Sequence, residues 1–168
     1  MNNKLYSFFI NDHRRIESLL NHAAINLEHI DLVIYSEFRK SLLRHIGIEE
    51  KIVLPAIKKL QHGLPYDAAD TLRGEHGALA ALLVPSPDKK IVKALQAILN
   101  HHNGLEECEN CLYRVCESLL GSEVDTIMNE VNNYPPVPVV RHIDTPNVLD
   151  ATRRALARAG FDFDQYDD

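Results

Sequence analysis

One motif occurs twice in this chain. His45-Ile-Gly47-Ile-Glu49-Glu50 returns as His102-Asn-Gly104-Leu-Glu106-Glu107. A second pair of segments repeats more loosely: His13-Arg-Arg-Ile16-Glu-Ser-Leu19-Leu20 aligns with His76-Gly-Ala-Leu79-Ala-Ala-Leu82-Leu83. Taken as segments A, B, C and D in chain order, A resembles C and B resembles D. A duplicated helix pair of this kind builds a site with approximate two-fold symmetry.

The periodicity is helical nearly throughout, and no strand pattern competes. Segment A covers about 4–29, B about 32–61, C about 66–84 and D about 88–120. Gly63-Leu64-Pro65 and Pro85-Ser86-Pro87 separate them, and Gly121 suits a position just past a helix end. Pro55 lies inside B, where a helix interior disfavours it, so a kink or an end is expected there. The A–B and B–C connections are short. The expected fold is therefore all-α, an antiparallel up-and-down four-helix bundle over residues 1–133. A short helix over about 122–132 closes that unit. A Pro-rich linker and C-terminal helical tail follow over 134–168, with Thr145-Pro146 as N-cap and first helical residue and Gly160 as the stop. In the tail, Val148, Leu149, Ala155, Leu156 and Phe161 are the residues expected to dock, since a solitary helix of this length is marginal in water.

Helical angles test whether the repeated residues can meet, since each residue advances about 100°. On D, His102, Leu99, Leu95, Tyr113 and Leu120 fall within about 40° of Glu106. On B, Glu49 shares its stripe with His45, Leu42, Phe38, Tyr35, Val53 and Leu60. On A, His13 lines up with Tyr6, Phe9, Glu17, Leu20 and Leu27; on C, His76 lines up with Leu72, Ala80 and Leu83. The candidate ligands thus all lie on the stripe each helix should bury.

Burial of an unpaired carboxylate costs several kcal/mol. Two of them beside four imidazoles are tolerable if divalent cations neutralise them. The His-x-x-x-Glu spacing sets nitrogen and oxygen about 6 Å apart along one face, which lets one helix serve both ions of a pair about 3.5–4 Å apart. Mixed imidazole and carboxylate ligation suits iron, manganese or zinc. Iron is the usual occupant of such bundles, and zinc more often sits alone in a tetrahedral site.

With these residues set out, the chain resembles the hemerythrin-like, HHE cation-binding domain proteins over about Leu5 to Leu120. The matching motifs are Asp12-His13 with Ile16-Glu17, His45-x-x-x-Glu49-Glu50 followed by Leu54-Pro55, Arg73-Gly-Glu75-His76, and His102-x-x-x-Glu106-Glu107 followed by Leu112-Tyr113. The resemblance implies a non-haem di-iron centre in an up-down bundle, with an oxo or hydroxo bridge permitted. Carried over by position, the ligands are His13, His45, Glu49, His76, His102 and Glu106, with Glu49 and Glu106 bridging. One iron would take His13 and His102, the other His45 and His76. Oxygen-carrying members add a fifth His one turn beyond the His on helix C, where this chain has Ala80. That departure leaves open or water-filled positions and is closer to members associated with nitric oxide, oxygen or oxidative-stress responses. Proteins that repair iron–sulfur clusters are among those members.

Neighbouring residues have humbler readings. A one-residue shift would pair His101 with Glu106, but the repeat favours His102. Glu17 either orients the His13 imidazole or is solvated. Glu50 and Glu107 sit about 100° off their stripes; they, Asp12 and Glu75 are expected on solvated faces or in outer hydrogen bonds. Cys108 and Cys111 point about 160° and 140° away from Glu106, and with Cys116 they are expected as ordinary thiols rather than ligands. Tyr35 and Tyr113 lie on the metal-facing stripes, either in plain core packing or at a ligand pocket.

Composition narrows the functional classes. A formal net charge of −6 argues against nucleic acid as the main partner. The apolar run Phe8-Phe9-Ile10 is too short for a signal peptide or membrane span, and the odd count of three Cys gives no disulfide framework, so a cytoplasmic protein is expected. The expected function is a di-iron protein that binds or senses a small diatomic ligand, O2 or NO, in oxidative or nitrosative stress. The alternatives are a di-iron enzyme or iron donor, acting in peroxide reduction or iron–sulfur cluster repair, and a structural bundle with a vestigial site. A homodimer is compatible with all three.

Overall fold

The computed structural model describes residues 3–167. Met1, Asn2 and Asp168, the outermost residues of the two expected units, lie outside the described residues. Helix α1 spans Lys4–Ala23 and buries Leu5, Phe9, His13, Ile16, Leu20 and Ala23, a three-four spacing that makes one inward stripe. Its first amides are capped from another helix, because Glu117 accepts from Leu5 N at 3.2 Å. Helix α1 stops at Ala23, short of the expected end near residue 29. Asn26 instead turns the chain by accepting from Glu28 N. Asp31 then caps α2, Leu32–Ile48, by accepting from Val33 N and Ile34 N.

Segment B departs from a plain helix where Pro55 requires it. A five-residue π turn, Glu49–Val53, follows α2, and α3 runs Leu54–Leu60 with Pro55 in its first turn. Proline has no N–H to donate back along the helix, and the wider turn absorbs that loss without ending the segment. Helix α4 spans Ala69–Leu82 and α5 spans Lys89–Glu107, capped by Asp88. Segment D is not the single helix expected over 88–120. It breaks after Glu107, and α6 resumes at Leu112–Leu120. Helix α7 is Val124–Asn133 and α8 is Pro146–Arg158, with Thr145 capping α8 as its sequence implies.

The core forms two apolar slabs. One gathers Ile16, Leu20, Phe38, Leu42, Leu79, Leu95 and Leu99; the other gathers Leu5, Phe9, Ile48, Val53, Leu72, Leu112, Tyr113 and Leu120. The chain crosses from the second slab to the first along α1, back along α2 and α3, over again along α4 and back through α5 and α6. That alternation is the antiparallel up-and-down bundle. Between the slabs lies one polar layer containing His13, His45, Glu49, His76, His102 and Glu106, all buried. Each fully buried Leu or Phe contributes about 1.5–3 kcal/mol, so the slabs hold the polar layer in register.

The C-terminal helix packs along α4. There Leu156 and Ala155 are buried and the Thr152 hydroxyl donates to Ala81 O at 3.2 Å, whereas Leu149 stays on the surface. No helix among the described residues is long and apolar enough to cross a membrane.

Candidate metal centre

Each of the four buried imidazoles points Nε2 inward and Nδ1 outward. The outward nitrogens meet carboxylates at 2.8 Å for His45 with Asp12, 2.7 Å for His13 with Glu107, 2.6 Å for His76 with Glu50 and 2.9 Å for His102 with Glu75. A carboxylate accepts, so Nδ1 carries a hydrogen and Nε2 is the atom turned to the centre, where its lone pair serves a cation once its own proton is displaced. The ring of acids runs round the bundle. Helix α1 supplies Asp12 to α2, the π turn supplies Glu50 to α4, α4 supplies Glu75 to α5, and α5 supplies Glu107 to α1. Each acid stands beside a candidate ligand in sequence yet serves the histidine of another segment. The angular offset of about 100° from the stripe aims it at the neighbouring helix, not at water.

Two donor groups form inside this ring among the described residues: His13, His45, Glu49 and Glu106, and Glu49, His76, His102 and Glu106. Within each, one ligand atom per residue lies within 4.8 Å of the others. Glu49 reaches His45 Nε2 with one oxygen at 3.3 Å and His76 Nε2 with the other at 3.1 Å. Glu106 does the same, 3.3 Å from His13 Nε2 and 3.2 Å from His102 Nε2. Both glutamates therefore span both groups. The histidine pairing differs from the one carried over from the family: His13 shares a group with His45, their Nε2 atoms 2.9 Å apart, and His76 shares one with His102. Side-chain direction could be read along each helix, but which helices lie side by side is set by the bundle, and α1 lies against α2 as α4 lies against α5.

The donor atoms themselves provide a fit test for a cation. In the second group Glu49 Oε2, His76 Nε2, His102 Nε2 and Glu106 Oε1 are all buried, and although they face one another as two N···O pairs at 3.1 and 3.2 Å, none of the four makes a contact of hydrogen-bond geometry. Buried polar atoms are hydrogen-bonded in the great majority of cases, and four that converge within 4.8 Å of one another without hydrogen-bond geometry between them fit a cation. In the first group two imidazole nitrogens face one another at 2.9 Å, which again requires a proton or a cation between them. Protonation follows the same logic. Burial alone would strip the proton from His45, but Glu49 and Asp12 outweigh it and raise the imidazole to about 10. His102 is likewise raised well above its ordinary value, against burial, by Glu106 and Glu75. Burial works to raise Glu49, yet His45 and His76 hold its carboxyl well below the usual range. A cation entering the centre must displace these protons.

Tyr113 is a site residue that the sequence left undecided. Its ring stacks on Phe9 with centroids 4.4 Å apart, and its hydroxyl enters the first group. The oxygen lies 2.8 Å from Glu106 Oε2 and 3.0 Å from His13 Nε2, and it also donates to Glu49 Oε1. Burial and the two glutamates push this phenol well above its ordinary value, so it stays protonated. Tyr35 instead packs in the core against Phe38.

The remaining candidates divide clearly. Glu17 does not orient His13; it accepts from Arg14 and from Asn103 Nδ2 at 2.7 Å. His101 is exposed and outside both groups, though its Nδ1 shares Glu75 at 2.6 Å. Cys108 and Cys111 are not ordinary thiols but a disulfide, leaving Cys116 as the free, buried cysteine. A cavity of about 10 Å³ adjoins the first group, lined by Ile16, Leu42 and Leu99 together with His13, His45, His102, Glu17 and Asn103.

A family model described as the hemerythrin HHE cation-binding domain matches residues 4–120. No curated protein and no solved structure matches the chain.

Proposed function

The chain belongs to the hemerythrin HHE cation-binding family, and from that membership we propose that its six convergent side chains hold two iron ions that meet a small diatomic ligand, O2 or NO. The observation that carries the metal reading is the convergence of four buried donor atoms on Glu49, His76, His102 and Glu106 that make no hydrogen bond of proper geometry. Two bridging carboxylates and four imidazoles suit iron, and manganese is the nearest alternative. When bound, iron supplies the electrons and the open coordination positions. The protein supplies the rest. The outer acids fix each imidazole, the slabs exclude water, and Tyr113 offers a hydroxyl proton at the first group.

The small cavity supports a diatomic ligand. About 10 Å³ is room for one water-sized molecule, and its apolar lining of Ile16, Leu42 and Leu99 does not select for a charged or extended substrate. Metal analysis of freshly purified protein should return iron, and the reduced protein should develop new absorption bands on meeting O2 or NO. Full iron loading with no spectral response to either gas would refute this reading. The Tyr113 hydroxyl favours a second reading, peroxide reduction, because a buried proton donor beside the centre could protonate a leaving oxygen. Turnover with peroxide that drops in Tyr113→Phe at unchanged iron content would select it.

A further inference from the structure

Segment D is helical on both sides of a four-residue break, and the break is where Cys108 and Cys111 are bonded to each other. Neither sulfur belongs to a donor group. Their flanks reach the centre: Glu106, which belongs to both groups, and Glu107, which meets His13 Nδ1, immediately precede the pair, and Tyr113, which bonds Glu106, follows it. An unbroken helix would carry Tyr113 back to the stripe of Glu106, but about 10 Å further along the axis. Both side chains would lean toward the N-terminus, so the hydroxyl would stop short of the carboxylate. In the structure, extended backbone at Cys108 (ψ 167°) and Cys111 (ψ −176°) redirects the chain, and the hydroxyl stands 2.8 Å from Glu106 Oε2. The cross-link, with Cys111 N donating to Cys108 O at 3.1 Å, holds that turn. The position is also reachable. Cys108 is exposed and Cys111 half-buried, and a surface groove of about 770 Å³ lined by Glu107, Glu109 and Asn110 runs beside the loop.

We infer that Cys108–Cys111 is a thiol–disulfide exchange site, taking a small or protein dithiol as its co-substrate, and that its redox state sets how Tyr113 and Glu107 meet the metal centre. The exchange balances without any other reactant. One thiolate of the external dithiol attacks Cys108 Sγ, the S–S bond breaks, and Cys111 leaves as a thiolate that takes up a proton. The second thiol of the reductant then displaces Cys108 and closes its own disulfide. Two electrons and two protons pass to the protein. With the link open, residues 108–111 regain the helical continuation that their flanks favour, and Tyr113 withdraws from Glu106. The inference uses the geometry of the donor cluster and is independent of which diatomic ligand visits it.

The test is alkylation of native protein with iodoacetamide before and after treatment with dithiothreitol, read by peptide mass. Cys116 is buried, with its thiol pushed up to about 12 by that burial, and should stay unlabelled. We expect no label before treatment, two after it on Cys108 and Cys111, and a return to none once oxidised dithiothreitol is added. In parallel, NMR of the zinc-loaded and metal-free protein should show the Tyr113 ring and His13 imidazole signals shifting on reduction while those of His76 hold. The double variant C108S/C111S should show the reduced pattern under both conditions. Labelling that requires denaturant would overturn the exchange site. Labelling of both cysteines with no movement of the Tyr113 signal in either the zinc-loaded or the metal-free protein would overturn its link to the centre. The wild-type comparison decides both points even if the double variant does not fold.

Discussion

The two donor groups contain the same residue types, yet they are not equivalent. The first, around His13 and His45, has the Tyr113 hydroxyl within hydrogen-bonding distance and a small cavity against its imidazoles. The second, around His76 and His102, has four donor atoms that face only one another and make no hydrogen bond of proper geometry. The asymmetry arises just after each Glu-Glu pair of the repeat. Segment B continues through the π turn and Pro55 into α3, where the residue equivalent to Tyr113 is Ala56. Segment D breaks at the disulfide and returns a tyrosine to the centre. The repeat thus supplies a symmetric ligand set, and the residues that follow it make one half a candidate for proton and ligand chemistry. The other half retains only the demands of charge.

The largest expected effect erases the comparison altogether. Glu49 and Glu106 serve both groups, so Glu49→Gln or Glu106→Gln should deplete both cations, and elemental analysis should find metal well below wild type. Wild-type metal content in either variant would break the bridging assignment. Chelation should reproduce the loss reversibly. At a free cation concentration a thousandfold above Kd, binding adds about 4 kcal/mol of stability, or about 10 °C in Tm for a chain of this size. Unequal melting of loaded and stripped protein by that margin is the measurement.

The stripped protein has its own pH signature. His45, His76 and His102 are raised in the folded state, so their charged pairs stabilise fully below the ordinary histidine range and lose that contribution as pH rises, for His45 toward about 10. Glu49, Glu50 and Glu107 are lowered, so their contribution is present above the ordinary carboxyl range and disappears as pH falls. Metal-free protein should therefore melt highest between about pH 4.5 and 6.5, whereas cation affinity should climb with pH as protons cease to compete. Melting curves of stripped protein that rise from pH 6.5 to 9 would contradict the paired, protonated histidines.

Separating the halves requires the outer acids. Glu75 holds His102 and Asp12 holds His45, so Glu75→Gln should weaken the second cation and Asp12→Asn the first. Each loss should be about 10–100-fold in affinity, resolved by stepwise competition with a chelator. Equal weakening of both sites by either variant would mean that the groups do not titrate as two. The acids also mark the limit of what the sequence discloses. The six inward residues were legible because burial and helical period act within one segment, and His45-x-x-x-Glu49 and His102-x-x-x-Glu106 write that period plainly. The acids and the pairing of His13 with His45 depend on which helix lies beside which, a property of the whole bundle. The break in segment D was hidden for another reason. Cys108 to Cys111 carries no Gly or Pro, and a bond between two sulfurs leaves no mark in the helical period.

Tyr113→Phe sharpens the contrast without touching the ligand set. It removes one hydroxyl from the first group and leaves the stacking on Phe9. A hydrogen bond to a charged partner contributes about 1.5–3 kcal/mol, so metal content should stay near wild type. The affinity for a diatomic ligand at the first group should change by about tenfold or more. The spectrum of the loaded protein should also shift. An unchanged spectrum together with unchanged ligand affinity would reduce the difference between the halves to packing.

The smallest effect concerns access to the first group. The Asn103 amide donates to Glu17 across the gap between α5 and α1, and Glu17 and Leu99 line both the small cavity and an outer groove of about 330 Å³ that also borders Leu20, Asn21, Gln96 and Asn100. The bridge therefore lies at the cavity wall, beside the residues that the cavity and the groove share. Asn103→Ala removes a neutral donor to a half-exposed carboxylate, a bond with a contribution of about 1 kcal/mol. Association of NO or O2 with the loaded protein should accelerate by about fivefold, the rate equivalent of that energy, with metal content and the resting spectrum unchanged. A stopped-flow rate equal to wild type would place the route elsewhere. Slower association would mean that the amide guides the ligand inward instead of closing the gap.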